Sequence, residues 1–308
     1  MYVVEKKIKN LYYIKNNLKI NISREINYLN RKIYILVQNI YNKITSYQTI
    51  LVSRNYQRPN TKEYIKNIFK NFHELCGDRF NSEDKSIIGG LANFKDKSCI
   101  VIGHQKGKNL NEKIERNFGM PKPEGYRKTL RLVKLAEKFN LPIITFIDTP
   151  GAYPGIDAEK KNQSESIGKN IYILSKLSVP ILAIIIGEGG SGGALAIAVP
   201  DILVMLRYST YSVISPEGCA SILWRDNKKI EEAAKQLLVK SSDIKNLGFL
   251  EYIIDEPIGG ANRDNNSMYD LLYNAILYSL NNLLIINKKN IINTRIKKLL
   301  YYGKFLNY

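Results

Sequence analysis

Apolar positions along the chain fall into alternating strand-like and helix-like patterns. Residues 181–186 are six consecutive apolar residues behind Pro180, which predicts a strand buried on both faces. Five glycines follow between Gly187 and Gly193, and Ala194 then opens a run of small apolar residues that reads as the start of a helix. Upstream, Ile22, Ile26, Leu29, Ile33, Val37, Ile40 and Ile44 recur at three- and four-residue steps. They predict an amphipathic helix with Ser23 as its N-cap. A linker at Arg58-Pro59 and a short helix over 63–72 come next. Residues 87–92 and 99–104 read as paired strands joined by a turn at 93–97.

A long polar loop, 105–123, separates this pair from a helical stripe at Tyr126, Leu130, Val133, Ala136 and Phe139. The strand 143–147 ends in a Pro/Gly-rich stretch, 148–155. Ile167, Ile171, Leu174 and Leu177 mark the next helix. Beyond the glycines, short strands are expected at 202–206, 211–214 and 252–254. Helices are expected from the turn at 215–220, over 230–237, and along Leu272, Ile276, Leu280 and Leu283, followed by a basic tail to Tyr308. Strands alternating with helices at this spacing argue for parallel strands with crossovers, and the short strand pairs suggest a superhelix of strand–strand–helix turns.

With 308 residues and 44% hydrophobic content, the chain can bury a substantial core. No apolar run approaches a membrane span, and the N-terminus has neither a signal-peptide core nor an Arg/Ser-rich import sequence. Cys76, Cys99 and Cys219 lie far apart, suit a reducing compartment, and form no metal-ligand set. The net charge of +18 suits an anionic partner such as a nucleic acid or a polyphosphate. The lysines are nevertheless spread along the chain instead of gathered in one arm, which favours a generally basic surface.

The central motif imitates three others. Gly187-x-Gly189-x-x-Gly192 has the dinucleotide spacing, but Asp201 follows too soon and no acidic residue sits where a ribose partner belongs. Gly189-x-Ser191-x-Gly193 has the nucleophile-elbow spacing, but both histidines, His73 and His104, precede the serine. Asp148-Thr-Pro-Gly151 suggests a Mg²⁺-binding turn, but the segment from Gly103 to Asn109 lacks the spacing and the Ser/Thr of a phosphate loop. What remains is two glycine turns at strand ends with no nucleophile, metal set or acid–base pair evident beside them. Free backbone N–H groups at a strand–turn–helix junction suit an oxyanion or enolate, and a substrate that supplies its own base removes the need for a side-chain base.

Six segments resemble one family in order and spacing: 100–107, 116–128, 145–155, 187–196, 211–224 and 256–261. The chain is similar to the alpha subunit of the carboxyltransferase component of bacterial and plastid acetyl-CoA carboxylase. The resemblance implies an α/β crotonase-like fold, with 1–57 as a helical extension and 58–308 as the carboxyltransferase domain. It implies carboxyl transfer from carboxybiotin, on a biotin carboxyl carrier protein, to acetyl-CoA, giving malonyl-CoA for fatty acid synthesis. Gly192 and Gly193 match the pair whose amides meet the biotin ureido oxygen. Gly151, Ala152, Tyr153, Pro154 and Gly155, with Gly189 and Gly190, are expected to shape the substrate pocket, with Tyr153 as one wall.

Implied partners are a zinc-ribbon-bearing beta subunit, the carrier protein, and a biotin carboxylase that uses ATP; two alpha and two beta subunits are expected, and no metal is expected in this chain. Other acyl-CoA substrates, or a non-catalytic binding protein of the same fold, are the alternatives. Departures from the family pattern are Cys76, Asn162, Val199-Pro200 and Asn262, none in the glycine pair. A/T-leaning composition favours a plastid-encoded chain over a bacterial cytoplasmic one.

Overall fold

The computed structural model describes residues 10–15, 22–80 and 82–303, the side chains of Lys288 and Lys289 excepted. The expectations for residues 1–9 and for the end of the basic tail lie outside the described residues. Helix α1, Ser23–Tyr41, matches the apolar stripe, but Ile22 occupies the N-cap position and Ser23 is the first helical residue, without a side-chain cap. Only Ile26 and Val37 of the stripe are buried, and Ile40 is 52% exposed, so α1 touches the rest of the protein along a narrow line.

Helices α2, Ser46–Ser53, and α3, Thr61–Ile68, each begin with a reciprocal capping box, Thr45 with Gln48 and Asn60 with Glu63. The helix expected over 63–72 stops early. Phe69 turns extended, and Lys70–Glu74 form β1, an edge strand antiparallel to β2, Ile87–Phe94. Sheet pairing here overrides the local helical pattern. Strand β2 pairs antiparallel with β3, Lys97–His104, as the hairpin pattern predicts. The long polar loop holds a short helix α4, Leu110–Glu115, and a 3-10 turn at Asn117–Gly119.

From β3 onward the sheet is parallel. Helix α5, Pro123–Phe139, crosses to β4, Ile143–Thr149. Helices α6, Ile156–Lys160, and α7, Gln163–Lys176, then lead to β5, Ile181–Gly190. A single-turn helix α8, Ser191–Leu195, precedes β6, Ile202–Leu206, and β7, Thr210–Ser212. Helices α9, Pro216–Leu223, α10, Ile230–Gln236, and α11, Ser241–Asn246, follow, then β8, Tyr252–Ile254, and the long helices α12, Asn265–Leu284, and α13, Lys288–Tyr301. The sheet order is β1-β2-β3-β4-β5-β6-β8, with β7 pairing the far end of β5.

Strand β5 is central because it is greasy on both sides. Leu182, Ile184 and Ile186 join Tyr64, Phe146 and Leu272 in the core under α3 and α12. Ile181 packs beneath α5 and α7 with Leu132 and Leu174, while Ala183 and Ile185 pack with Ile197 and Met205.

The basic tail is not a tail over its described length. Arg295 of α13 is wholly buried and binds Asp201 through two nitrogens at 2.9 and 2.7 Å. It also donates to the carbonyls of Leu174, Leu177 and Val179. Asp201 in turn accepts the Ile181 N–H at 2.8 Å, so this helix pins the start of the central strand. At the other end of the sheet Arg58 is buried against Glu256 in a two-bond pair, 2.7 and 2.9 Å, and donates to the Ile186 carbonyl at 3.0 Å. Glu256 also accepts the N–H groups of Tyr208 and Ala261, so both carboxylate oxygens are partnered, whereas the Arg58 Nε is buried without a partner among the described residues.

Candidate active site

Strands β4 and β5 run parallel, so their C-terminal ends emerge side by side and bring the two glycine-rich segments together. Thr149 shapes the first. Its hydroxyl accepts from the Gly151 N–H at 3.1 Å and donates to the Gly151 carbonyl at 2.8 Å. The second differs from the expected turn, because Gly187 to Gly190 continue β5 and pair with β7. Chain reversal begins only at Ser191, whose φ is +50°.

The glycines are required for close backbone approach. A Cβ on Gly193 would lie 2.5 Å from the Gly151 carbonyl carbon and 2.6 Å from the Ala152 nitrogen, and one on Gly190 would strike the Pro150 carbonyl. Gly189 would meet the Tyr211 ring at 2.7 Å. Gly192 is different: the nearest atom to its Cβ position is a methyl of Ile167, 3.8 Å away.

Gly192 and Gly193 belong to the first turn of α8, where amides have no carbonyl within the helix to bond. Gly192 is half-buried and lines a cavity of about 400 Å³ with Ser191, Leu195, Tyr211, Val213 and Phe249. Gly193 is buried beneath the 151–152 backbone and is not among the cavity's lining residues. The lining is mostly apolar, and the volume lies in the small-molecule range. Gly189 and Gly190 face a separate narrow crevice with Arg54 and Ser215. Tyr153 is held by its N–H to the Pro121 carbonyl at 3.0 Å and by Gln163, which donates to its carbonyl at 3.0 Å. Its ring lies against Gly155 and under the Lys122 ammonium, and it does not line the 400 Å³ cavity.

Sequence reasoning missed the charged chain beside the turns. Lys106 bridges Asp148 at 2.8 Å and Glu188 at 2.7 Å; Glu188 also takes Arg54 at 2.6 Å, and Arg54 reaches Glu217 at 2.6 Å. Asp148 further accepts the Glu188 N–H at 3.0 Å. Charged side chains therefore stand beside the glycines, held in ion pairs with one another. Their sequence separations give no hint of contact.

Burial lowers the Lys106 pKa, but Asp148 and Glu188 together outweigh it and raise the group above its usual value. Burial likewise raises Glu188, and Lys106 with Arg54 bring it below the ordinary carboxylate value. These ion pairs tie the ends of β3, β4 and β5 to α2 and α9. His104 sits behind them, fully buried, with Nδ1 accepting the Asp148 N–H at 3.4 Å. Burial first, then Lys106, lowers its pKa to about 3. It is a neutral imidazole packed against the glycine turn.

One departure from the family pattern has a structural reason. Asn162 precedes α7 with φ +63° and ψ +57°, a left-handed conformation that glycine adopts freely and asparagine tolerates better than most residues. Among the described residues no group of His, Cys, Asp and Glu is placed to hold a metal ion, and no helix is long and apolar enough to cross a membrane.

A family model for acetyl co-enzyme A carboxylase carboxyltransferase-like proteins matches residues 1–303. The chain is 53% identical over 302 residues to the acetyl-coenzyme A carboxylase carboxyl transferase subunit alpha of Bordetella avium, covering 98% of this chain and 94% of that one. The corresponding subunit of Nitrosomonas europaea is 52% identical over 301 residues, with the same coverage. Both relatives are bacterial and give the plastid expectation no support. Among solved structures, the transcarboxylase 12S core with methylmalonyl-coenzyme A bound superposes with a TM-score of 0.56 at 17% identity. That match covers 70% of this chain and 41% of the other. At that identity the likeness speaks to the fold alone, which is the expected crotonase-like α/β architecture. On the match along nearly its whole length, the chain belongs to the acetyl-CoA carboxylase carboxyltransferase family, on the alpha-subunit side.

Proposed function

We propose that this chain is the alpha half of a carboxyltransferase that moves a carboxyl group from carboxybiotin to acetyl-CoA, forming malonyl-CoA for fatty acid synthesis. The observation that carries the site assignment is Gly192: a first-turn amide, half-buried, on the wall of a 400 Å³ cavity, with open space where a side chain would stand.

Carboxybiotin, carried in by the carrier protein, supplies the carboxyl group and, once relieved of it, a base. This chain's part is to hold the charge that develops. The Gly192 N–H, with that of Gly193 behind it, faces the ureido oxygen as it becomes anionic, and one such donor is worth roughly 3–4 kcal/mol of barrier. The lining of Leu195, Tyr211, Val213 and Phe249 is apolar, and once a partner closes the half-open cavity it would keep water from that interaction and strengthen it. The start of the 148–155 stretch has a different task in this reading: the backbone of Pro150, Gly151 and Ala152 is the floor on which Gly190 and Gly193 rest. A beta subunit bearing a zinc ribbon supplies the thioester-holding half, a separate biotin carboxylase consumes ATP, and the assembly contains two alpha and two beta subunits.

The test uses glycine variants of the reconstituted alpha–beta complex. Gly192→Val is expected to fold and assemble normally, because its Cβ meets nothing nearer than 3.8 Å. Its carboxyl-transfer kcat should fall on the order of 100-fold or more. Normal turnover by that variant would remove Gly192 from the site. Gly193→Val is the poorer probe: its side chain would collide with the Gly151 backbone, so it should fail to fold instead of reporting on chemistry.

A further inference from the structure

A larger cavity, about 840 Å³, lies between α5 and α7, on another flank of α7 from the one that meets Gly192. Seven cationic side chains line it: Arg79, Arg127, Arg131, Lys134, Lys160, Lys161 and Lys169. Only two carboxylates join them. Asp78 is already occupied, by Arg127 at 2.8 Å and by the N–H groups of Phe80 and Ser82. Glu165 stands 3.7 Å from Lys169. Among the described residues no carboxylate pairs with Arg79, Lys134 or Lys160, and Arg131 bonds only the carbonyls of Leu75, Cys76 and Gly77. Burial, and after it the neighbouring Arg79, depress the Arg131 pKa, so its charge is poorly compensated.

The floor gives a second, independent sign. Asn170 lines the cavity, is 1% exposed, and among the described residues has no partner for either its carbonyl oxygen or its amide nitrogen. A buried amide with both polar atoms unmet costs stability, and such groups are ordinarily satisfied. A ligand or ordered water in the cavity would satisfy it.

We propose that this cavity is a binding site for a small phosphorylated anion carrying at least two phosphoryl groups. Seven cations against three partly spent carboxylates, Asp78 and Glu165 in the lining and Glu124, which takes Lys161 at 2.8 Å, still exceed what one phosphate neutralises. Arginine forks suit phosphoryl oxygens, and the Asn170 amide can donate to the same group from below. The volume of this half-open cavity lies in the small-molecule range.

The probe is pyrophosphate, titrated calorimetrically into the full chain at about 150 mM salt, where loosely held surface ions are screened. The expected result is saturable binding of one pyrophosphate per chain, tighter than orthophosphate. The double variant Lys134→Glu/Lys160→Glu should weaken it at least tenfold, and Asn170→Asp should weaken it in the same direction. Lys66→Glu/Lys97→Glu, which removes the same charge from exposed positions elsewhere, should leave it unchanged. Absence of saturable binding, equal affinity for orthophosphate, or an equal loss in the Lys66/Lys97 variant would each overturn the proposal.

Discussion

At the scale of single residues, two adjacent glycines are needed for different reasons. Gly193 makes room for the 151–152 backbone, while Gly192 keeps one wall of a cavity bare. Their identity was evident in the sequence, but the division of labour was not, because nothing local says which neighbour a Cβ would strike. His104 supports a further prediction. Its pKa is lowered to about 3 in the folded chain, against an ordinary value near 6.5 when unfolded. Between these values the unfolded chain binds a proton that the folded chain refuses. The stability contribution is therefore fully present above about pH 6.5 and is lost as pH falls toward 3, at up to about 1.4 kcal/mol per pH unit. Urea unfolding of wild type and His104→Gln across pH 4.5–7.5 checks this. The wild type should lose stability on acidification with a steeper slope than the variant, and parallel slopes would dismiss His104 as the cause.

Among secondary-structure elements, the long stripes were legible and the ends were not. The apolar runs give β5, β6 and β8 and the helices α5, α7 and α12 close to where the periodicity puts them. Strand β1 was hidden, because residues 70–74 have no apolar alternation and become a strand by pairing with β2. Helix α13 was hidden for the opposite reason. Its lysines look like a solvated tail, and only the fold reveals that Arg295 reaches three carbonyls and Asp201. Removing one partner of a buried pair strands the other, which typically costs about 3–5 kcal/mol. Arg295→Met should lower stability by that amount in urea unfolding, because Asp201 is left charged at the head of the central strand. Arg58→Met should do the same through Glu256, whereas Lys229→Met, part of an exposed pair with Glu232, should change stability by less than about 1 kcal/mol. A small loss in the Arg295 variant would mean that α13 docks for other reasons.

On the scale of the whole molecule, the side bearing the glycine turn is unusually apolar. Val213 is 77% exposed, and Ile222 and Leu223 of α9 are 69% and 66% exposed. Val213 and Leu247 form the rim of the Gly192 cavity. Exposed apolar groups at the rim of a half-open cavity and on α9 mark an interaction surface, and under the proposed function a beta subunit would cover them. Val213→Asp with Leu223→Asp should therefore weaken alpha–beta association at least tenfold in sedimentation or pull-down assays while the chain's own melting temperature stays within a few degrees. Unchanged association would place the partner elsewhere. The charge of +18 also takes on shape at this scale: part of it is gathered around the cavity between α5 and α7, from residues 79, 127–134 and 160–169, which are distant along the chain.

The sequence by itself determined the order and kind of most elements, the doubly buried character of the central strand, the clustering of glycines at its end, and the family. These depend on neighbours within a few turns of chain, where periodicity and steric rules operate. Only the tertiary structure decided that the backbone at 150–152 lies on the glycines of β5 and α8, that Lys106 sits between Asp148 and Glu188, and that Arg295 ends in the core. Each of those contacts joins residues roughly 40 to 120 positions apart, brought together by parallel crossovers whose register no local pattern encodes.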